Sequence, residues 1–154
     1  MQFGGKYLLA APRSAVWAAL NHTDVLKAAI PGCQRIDWTG ETALELEIKV
    51  NFGFVQPVFT GDLVLSGIVP AERYTLSGKG RGGLLGIAEG AADIVLADMP
   101  GGGTELTFTA TGGADGRIMK LGKALIGNSA QKVIDGFFER FAAAMGTTVT
   151  PVPA

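Results

Sequence analysis

The single histidine, His22, stands between Asn21 and Thr23. A metal site built on several imidazoles has no ligands to draw on, and a Ser-His-Asp triad would have to use this one residue as its base. No G-x-S-x-G elbow accompanies it, so hydrolase chemistry is disfavoured and a capping or solvent role is expected. The single cysteine, Cys33, follows Pro31-Gly32 with no sequence-adjacent basic residue to hold a thiolate, and reads as a structural thiol rather than a nucleophile. Gly78-Lys79-Gly80-Arg81-Gly82-Gly83 matches G-x-G-x-x-G, yet Leu84-Leu85-Gly86-Ile87-Ala88-Glu89-Gly90 runs on into a strand, where a dinucleotide site needs a helix. The segment is expected to be a flexible hairpin bordering a cavity. Lys79 and Arg81, with Lys120 and Lys123, rim an apolar run at Leu84, Leu85 and Ile87, a pattern suited to contact with a membrane or a partner protein.

The chain has 154 residues, 47% hydrophobic and 18% charged, with a net charge of -1. That is the size of one domain with one core, too apolar for a disordered chain. It also lacks the positive field that collects nucleic acid. One cysteine closes no internal disulfide, the N-terminus shows no signal-peptide core, and no run of about 18 apolar residues occurs. A cytoplasmic protein is expected, with any membrane contact peripheral, at the inner face of the cytoplasmic membrane.

An opening extended segment over 2–10 leads to Pro12, which is suited to a helix start, with Val16, Trp17 and Leu20 at helical spacing. Thr23 or Asp24 is placed to cap a second short helix ending at Pro31-Gly32. From there the period changes to two, most clearly in Leu44-Glu45-Leu46-Glu47-Ile48-Lys49-Val50, the signature of a half-solvated antiparallel strand. Turn signals at Thr39-Gly40-Glu41, Val69-Pro70-Ala71-Glu72 and Pro100-Gly101-Gly102-Gly103 divide 33–113 into about six hairpin-linked strands. Apolar residues at helical spacing over 116–145 then predict one long amphipathic helix. The fold class is α+β: a curved antiparallel sheet of about six to seven strands around a long C-terminal helix, with two short helices after the first strand. Glycines inside strand-like runs (Gly53, Gly61, Gly67, Gly78, Gly90) support the curvature, and such a sheet leaves room for a cavity under the helix.

With that order the chain resembles the CoxG family of carbon monoxide dehydrogenase subunits, a branch of the START-like (SRPBCC), helix-grip superfamily. The resemblance is carried by Phe3-Gly4-Gly5-Lys6-Tyr7, by Ala11-Pro12-Arg13-Ser14-Ala15-Val16-Trp17-Ala18-Ala19-Leu20-Asn21, by Ala29-Ile30-Pro31-Gly32-Cys33 after a D-x-L-x-x-x-I helix, and by Phe137-Phe138-Glu139-Arg140-Phe141. It implies a domain over 1–146 with a hydrophobic cavity, and a non-catalytic accessory role beside a carbon monoxide dehydrogenase or similar molybdenum hydroxylase. It further implies membrane recruitment of that enzyme and binding of a quinone, menaquinone or ubiquinone, as electron acceptor. The stretch 147–154, with Pro151 and Pro153, resembles the start of the Pro-rich linker that precedes a membrane anchor in many members.

For the cavity wall the apolar strand faces offer Leu46, Ile48, Val50, Phe59, Leu63, Leu65, Tyr74, Leu76 and Phe108, opposed by Ile118, Leu121, Leu125 and Phe137 of the long helix. A filled core requires the same burial, so a ligand site needs orienting polar groups as well, for which Tyr74, Thr107, Ser77 and Gln56 are available. A cyclase or aromatase-type enzyme of the same superfamily and a ligand-free assembly protein are the rival functions.

Overall fold

Residues 2–49, 56, 58–81, 87–114 and 130–152 are described by the computed structural model. The period-two runs become strands β1 (Gln2–Leu9), β2 (Cys33–Trp38), β3 (Ala43–Lys49), β4 (Val58–Val69), β5 (Arg73–Arg81), β6 (Ile87–Asp98) and β7 (Thr104–Ala114), with β8 (Val149–Val152) at the end of the chain. The helices among the described residues are α1 (Arg13–Leu20), α2 (Thr23–Ala29) and α3 (Ala130–Met145). The described strands form one eight-stranded sheet of order β2-β3-β4-β5-β6-β7-β1-β8, with antiparallel pairing throughout. Successive strands from β2 to β7 pair as a meander, and β1 lies between β7 and β8.

Cross-strand partners share a face, and the register collects the large apolar residues on one of them. Leu44 opposes Leu63, Leu65 opposes Leu76, Ile94 opposes Phe108, and Leu106 opposes Tyr7. Phe138 and Phe141 of α3 pack onto this face, with Phe138 stacked on Tyr7 at 4.2 Å between ring centroids. Val16, Ala19 and Leu20 of α1 and Ala29 of α2 complete the core. Each such large side chain contributes about 1.5–3 kcal/mol relative to exposure. The opposite face carries Glu45, Glu47, Asp62, Thr75 and Asp93, including Arg35 held by Asp37, Glu45 and Glu47.

The Pro31-Gly32-Cys33 loop has a direct steric basis. Gly32 lies at φ +72°, and a Cβ there would run into the Lys49 carbonyl oxygen. The Lys49 amide donates to the Gly32 carbonyl at 2.9 Å. Glycine thus permits both the turn and the closure of the β2–β3 end. Thr104, fully buried, donates its hydroxyl to the Ala11 carbonyl at 2.7 Å and ties β7 to the loop before α1.

Several expectations change. The sheet has eight strands rather than six or seven, because 149–152, read as the start of a linker, pairs with β1 from Lys6↔Val152 to Leu9↔Val149. Gly146 at φ +77° ends α3 and turns the chain back, and Val149, Thr150 and Val152 find an open strand edge. Pro151, which has no N–H, is tolerated because β8 is an edge strand. Neither Thr23 nor Asp24 caps α2: the N-cap is the exposed His22, and it makes no side-chain cap bond. The segment Gly78-Lys79-Gly80-Arg81 is strand rather than flexible hairpin. Gly78 opposes both Leu63 and Gly90, and a Cβ on it would meet Leu63 Cδ2 at 2.9 Å. Glycine there makes room for a core leucine, not for a phosphate. The N-terminal part of the long helix expected over 116–145 lies outside the described residues as far as 129; from Ala130 the helix is present.

Candidate functional site

A cleft of about 800 Å³ opens where β1, β7, β8 and α3 meet, lined by Gly4, Gly5, Lys6, Tyr7, Thr107, Phe108, Thr109, Asp135, Pro151 and Val152. Its position follows from strand lengths. β8 pairs with β1 only between Lys6 and Leu9, so the β1 edge at Gly4 and Gly5 extends past the last β8 pair, Lys6↔Val152. Gly5 and Tyr7 share the inner face with Phe108 and Leu106, while Gly4 and Lys6 share the outer face with Thr109 and Thr107. The cleft therefore wraps the strand edge from the core side to the outer side, and its size is that of a small-molecule site.

The inner end holds a polar pair. Tyr7, 1% exposed, donates its phenol proton to Asp135 Oδ1 at 2.7 Å across the sheet–helix interface. The stack on Phe138 fixes the ring, and Gly5 leaves it room: a Cβ on Gly5 would sit 3.2 Å from Tyr7 Cε2 and 3.3 Å from the hydroxyl oxygen. At the outer end Lys6 Nζ lies 3.8 Å from Glu105 Oε1, a largely solvated pair worth little. Tyr7 and Asp135 did not stand out in the sequence. A signal was present, since Gly4-Gly5-Lys6-Tyr7 interrupts a strand with two glycines beside an aromatic, but Asp135 falls within a helical pattern that looks merely amphipathic.

The expected wall residues divide. Leu46, Leu65 and Tyr74 are buried core, while Ile48, Leu63, Leu76, Phe108 and Phe137 are partly buried against that core. Phe59 is half-buried and opposes Ile48 on the sheet. Of these described residues, Phe108 lines the cleft. Val50, Ile118, Leu121 and Leu125 lie outside the described residues, as do Leu84 and Leu85 of the expected contact surface. Lys79 is on the outer face, opposite Asp62, and Arg81 pairs with Ile87 in the last described step of β5 and β6. Of the polar candidates Thr107 lines the cleft, Ser77 faces outward, Gln56 is exposed, and Tyr74 is core.

Tyr74 meets Trp17 edge-on at 5.4 Å, and burial pushes its phenol well above the ordinary range. Burial likewise pushes the Cys33 thiol up, against smaller opposing effects of a hydrogen bond with the Arg35 backbone and the charge of Lys27. A raised thiol pKa is the reverse of what a nucleophile needs. Among the described residues no group of three or more His, Cys, Asp and Glu side chains could hold a metal ion, and no helix is long and apolar enough to cross a membrane.

Residues 5–146 match the model of the CoxG family of carbon monoxide dehydrogenase subunits. The chain belongs to the CoxG family. The match takes in Gly5, Tyr7, Phe108 and Asp135 of the cleft, and stops just before the turn into β8. Among curated proteins, none matches the sequence. Solved structures share the fold of this CoxG-family chain. A conserved protein from Geobacillus kaustophilus is 22% identical with a TM-score of 0.82, over 97% of this chain and 99% of that one. A protein from Chromobacterium violaceum is 18% identical with a TM-score of 0.70, over 94% and 96%. One from Rhizobium loti is 16% identical with a TM-score of 0.71, over 94% and 96%. At these identities the likeness shows the α+β fold with its large antiparallel sheet.

Proposed function

We propose that this protein is a non-catalytic accessory of a carbon monoxide dehydrogenase or a related molybdenum hydroxylase, and that it holds an apolar, quinone-like molecule between its sheet and its C-terminal helix. The observation that carries the reading is the cleft at the β1 edge, in a chain of the CoxG family. Its apolar surround (Phe108, Tyr7, Pro151, Val152) desolvates a poorly soluble molecule, and the inner Tyr7–Asp135 pair supplies orienting polarity. Burial of ligand surface contributes about 25 cal/mol per Å² of apolar area before the entropic costs of binding.

The role is positional: the protein presents the molecule to the partner enzyme or to the membrane. The sequence from Lys79 to Ile87, with Arg81 and the apolar Leu84 and Leu85, is the proposed contact. The test is native mass spectrometry of protein purified without detergent from a quinone-containing host, followed by titration with a decyl-substituted benzoquinone. A stoichiometric bound molecule and saturable uptake are expected, with uptake lost in a folded Phe108→Asp variant. An empty protein that ignores added quinone would replace this reading with that of an assembly protein.

A further inference from the structure

We infer that the free sheet edge at β2 is a contact surface for a second copy of this chain, the two β2 strands pairing antiparallel about a two-fold axis at Ile36. Among the described strands β2 has one neighbour, β3. The Thr39 amide donates to the Ala43 carbonyl at 2.9 Å, and an antiparallel ladder alternates from there. The backbone groups of Asp37 and Arg35 therefore turn toward Glu45 and Glu47 of β3, and those of Ile36 and Trp38 toward the free side. Gln34, at the register shift between Cys33 and Arg35, has no partner on β3 among the described pairs. A free row of backbone groups is a template for another strand.

The residue types on β2 select a second copy as that strand. Pairing about Ile36 sets Arg35 opposite Asp37 of the second copy and, by symmetry, Asp37 opposite its Arg35, so opposite charges face one another twice on the outer face. On the inner face Ile36 meets its own counterpart, and Trp38, 39% exposed, meets Gln34. The pairing thus covers an exposed tryptophan at the sheet edge. Centring the axis on Arg35 or on Asp37 instead would oppose like charges and turn the wrong backbone groups to the seam. Glu45 and Glu47 stand one strand further from the axis, where with Asp37 they hold Arg35, and their excess negative charge keeps the contact weak. A seam over 34–38 is also shorter than the interfaces of about 1,200 Å² that stable complexes bury, so the dimer is a concentration-dependent one. None of the residues that line the cleft lies on β2, and the contact is independent of what the cleft holds.

The test is sedimentation equilibrium of the 154-residue protein from about 10 μM to about 1 mM, the range of a weak interface. A reversible equilibrium between monomer and dimer is expected. Asp37→Lys, at a side chain 60% exposed, opposes like charges across the seam and should weaken the dimer at least about tenfold. Trp38→Pro removes an outward amide from an edge strand, where proline is tolerated, and should weaken it as much while the circular dichroism spectrum stays unchanged. Protein that remains monomeric over the whole range overturns the inference and leaves the edge to a strand of another protein. A dimer that keeps its affinity in both variants places the contact on another surface and overturns it as well. So does a mass that grows past the dimer, because a two-fold pairing closes on itself.

Discussion

Tyr74 shows how one buried group makes stability depend on pH. Its phenol sits 6% exposed against Trp17, with its pKa raised from an ordinary value of 10.0 by burial. Above about pH 10 the unfolded chain releases this proton while the folded chain keeps it, so the native state binds more protons and stability falls as pH rises. Below that pH the contribution is fully present. The urea midpoint is therefore expected to drop between about pH 8 and about pH 11, by up to about 1.4 kcal/mol of stability per pH unit above 10. Tyr74→Phe should drop markedly less; an equal drop would place the alkaline sensitivity elsewhere. Sequence alone marked Tyr74 as a polar candidate for a cavity wall. Which of two tyrosines carries a partner at the cleft and which is packed into the core depends on register and helix placement, and Tyr7, not Tyr74, reaches Asp135.

At the scale of elements, β8 was the least legible. β-Branched residues and prolines after Met145 stop a helix, and that much reads directly; whether they then run free or pair depends on an open strand edge. That edge belongs to β1, and the Thr147 hydroxyl donates to the Ala10 carbonyl across 137 residues of sequence. Ala10 in turn donates its amide to the Thr148 carbonyl at 3.1 Å. Removing 147–154 uncovers β1, whose Tyr7 and Leu9 are fully buried core residues, and deletes bonds worth about 0.5–1.5 kcal/mol each net. A loss of about 2–4 kcal/mol is expected in thermal unfolding, with faster aggregation from the exposed edge. An unchanged melting temperature would mean that β8 adds nothing to the fold. The hairpin turns, by contrast, were legible because their chemistry is local: Gly101 and Gly102 take φ +93° and +94° between β6 and β7.

At the scale of the molecule, β1, the meander, α1, α2 and α3 meet in one core among the described residues. The Arg140 guanidinium donates to the Ala29 carbonyl and joins α3 to the end of α2. Cooperative, two-state unfolding follows from this continuity. Trp17 is partly buried against the core, whereas Trp38 is 39% exposed on the edge strand β2. In a Trp38→Phe variant the fluorescence of Trp17 and the far-ultraviolet circular dichroism should therefore trace one coincident urea transition. Separated midpoints would show that the α1 corner unfolds apart from the sheet.

By itself the sequence determined the α+β class, the hairpin order, the two short helices, the family and the absence of a several-histidine metal site. These rest on composition, on periods of two and 3.6, and on turn residues that act over a few positions. Tertiary structure decided the eighth strand, the strand character of Gly78-Lys79-Gly80-Arg81, and the position of the cleft. Among the wall residues expected from alternation, Phe108 lines the cleft, and Leu46, Leu65 and Tyr74 are buried in the core. Alternation tells which face a residue takes but not what lies above it. The contact between Tyr7 near one end of the chain and Asp135 near the other exists only once β1 has closed the sheet under α3.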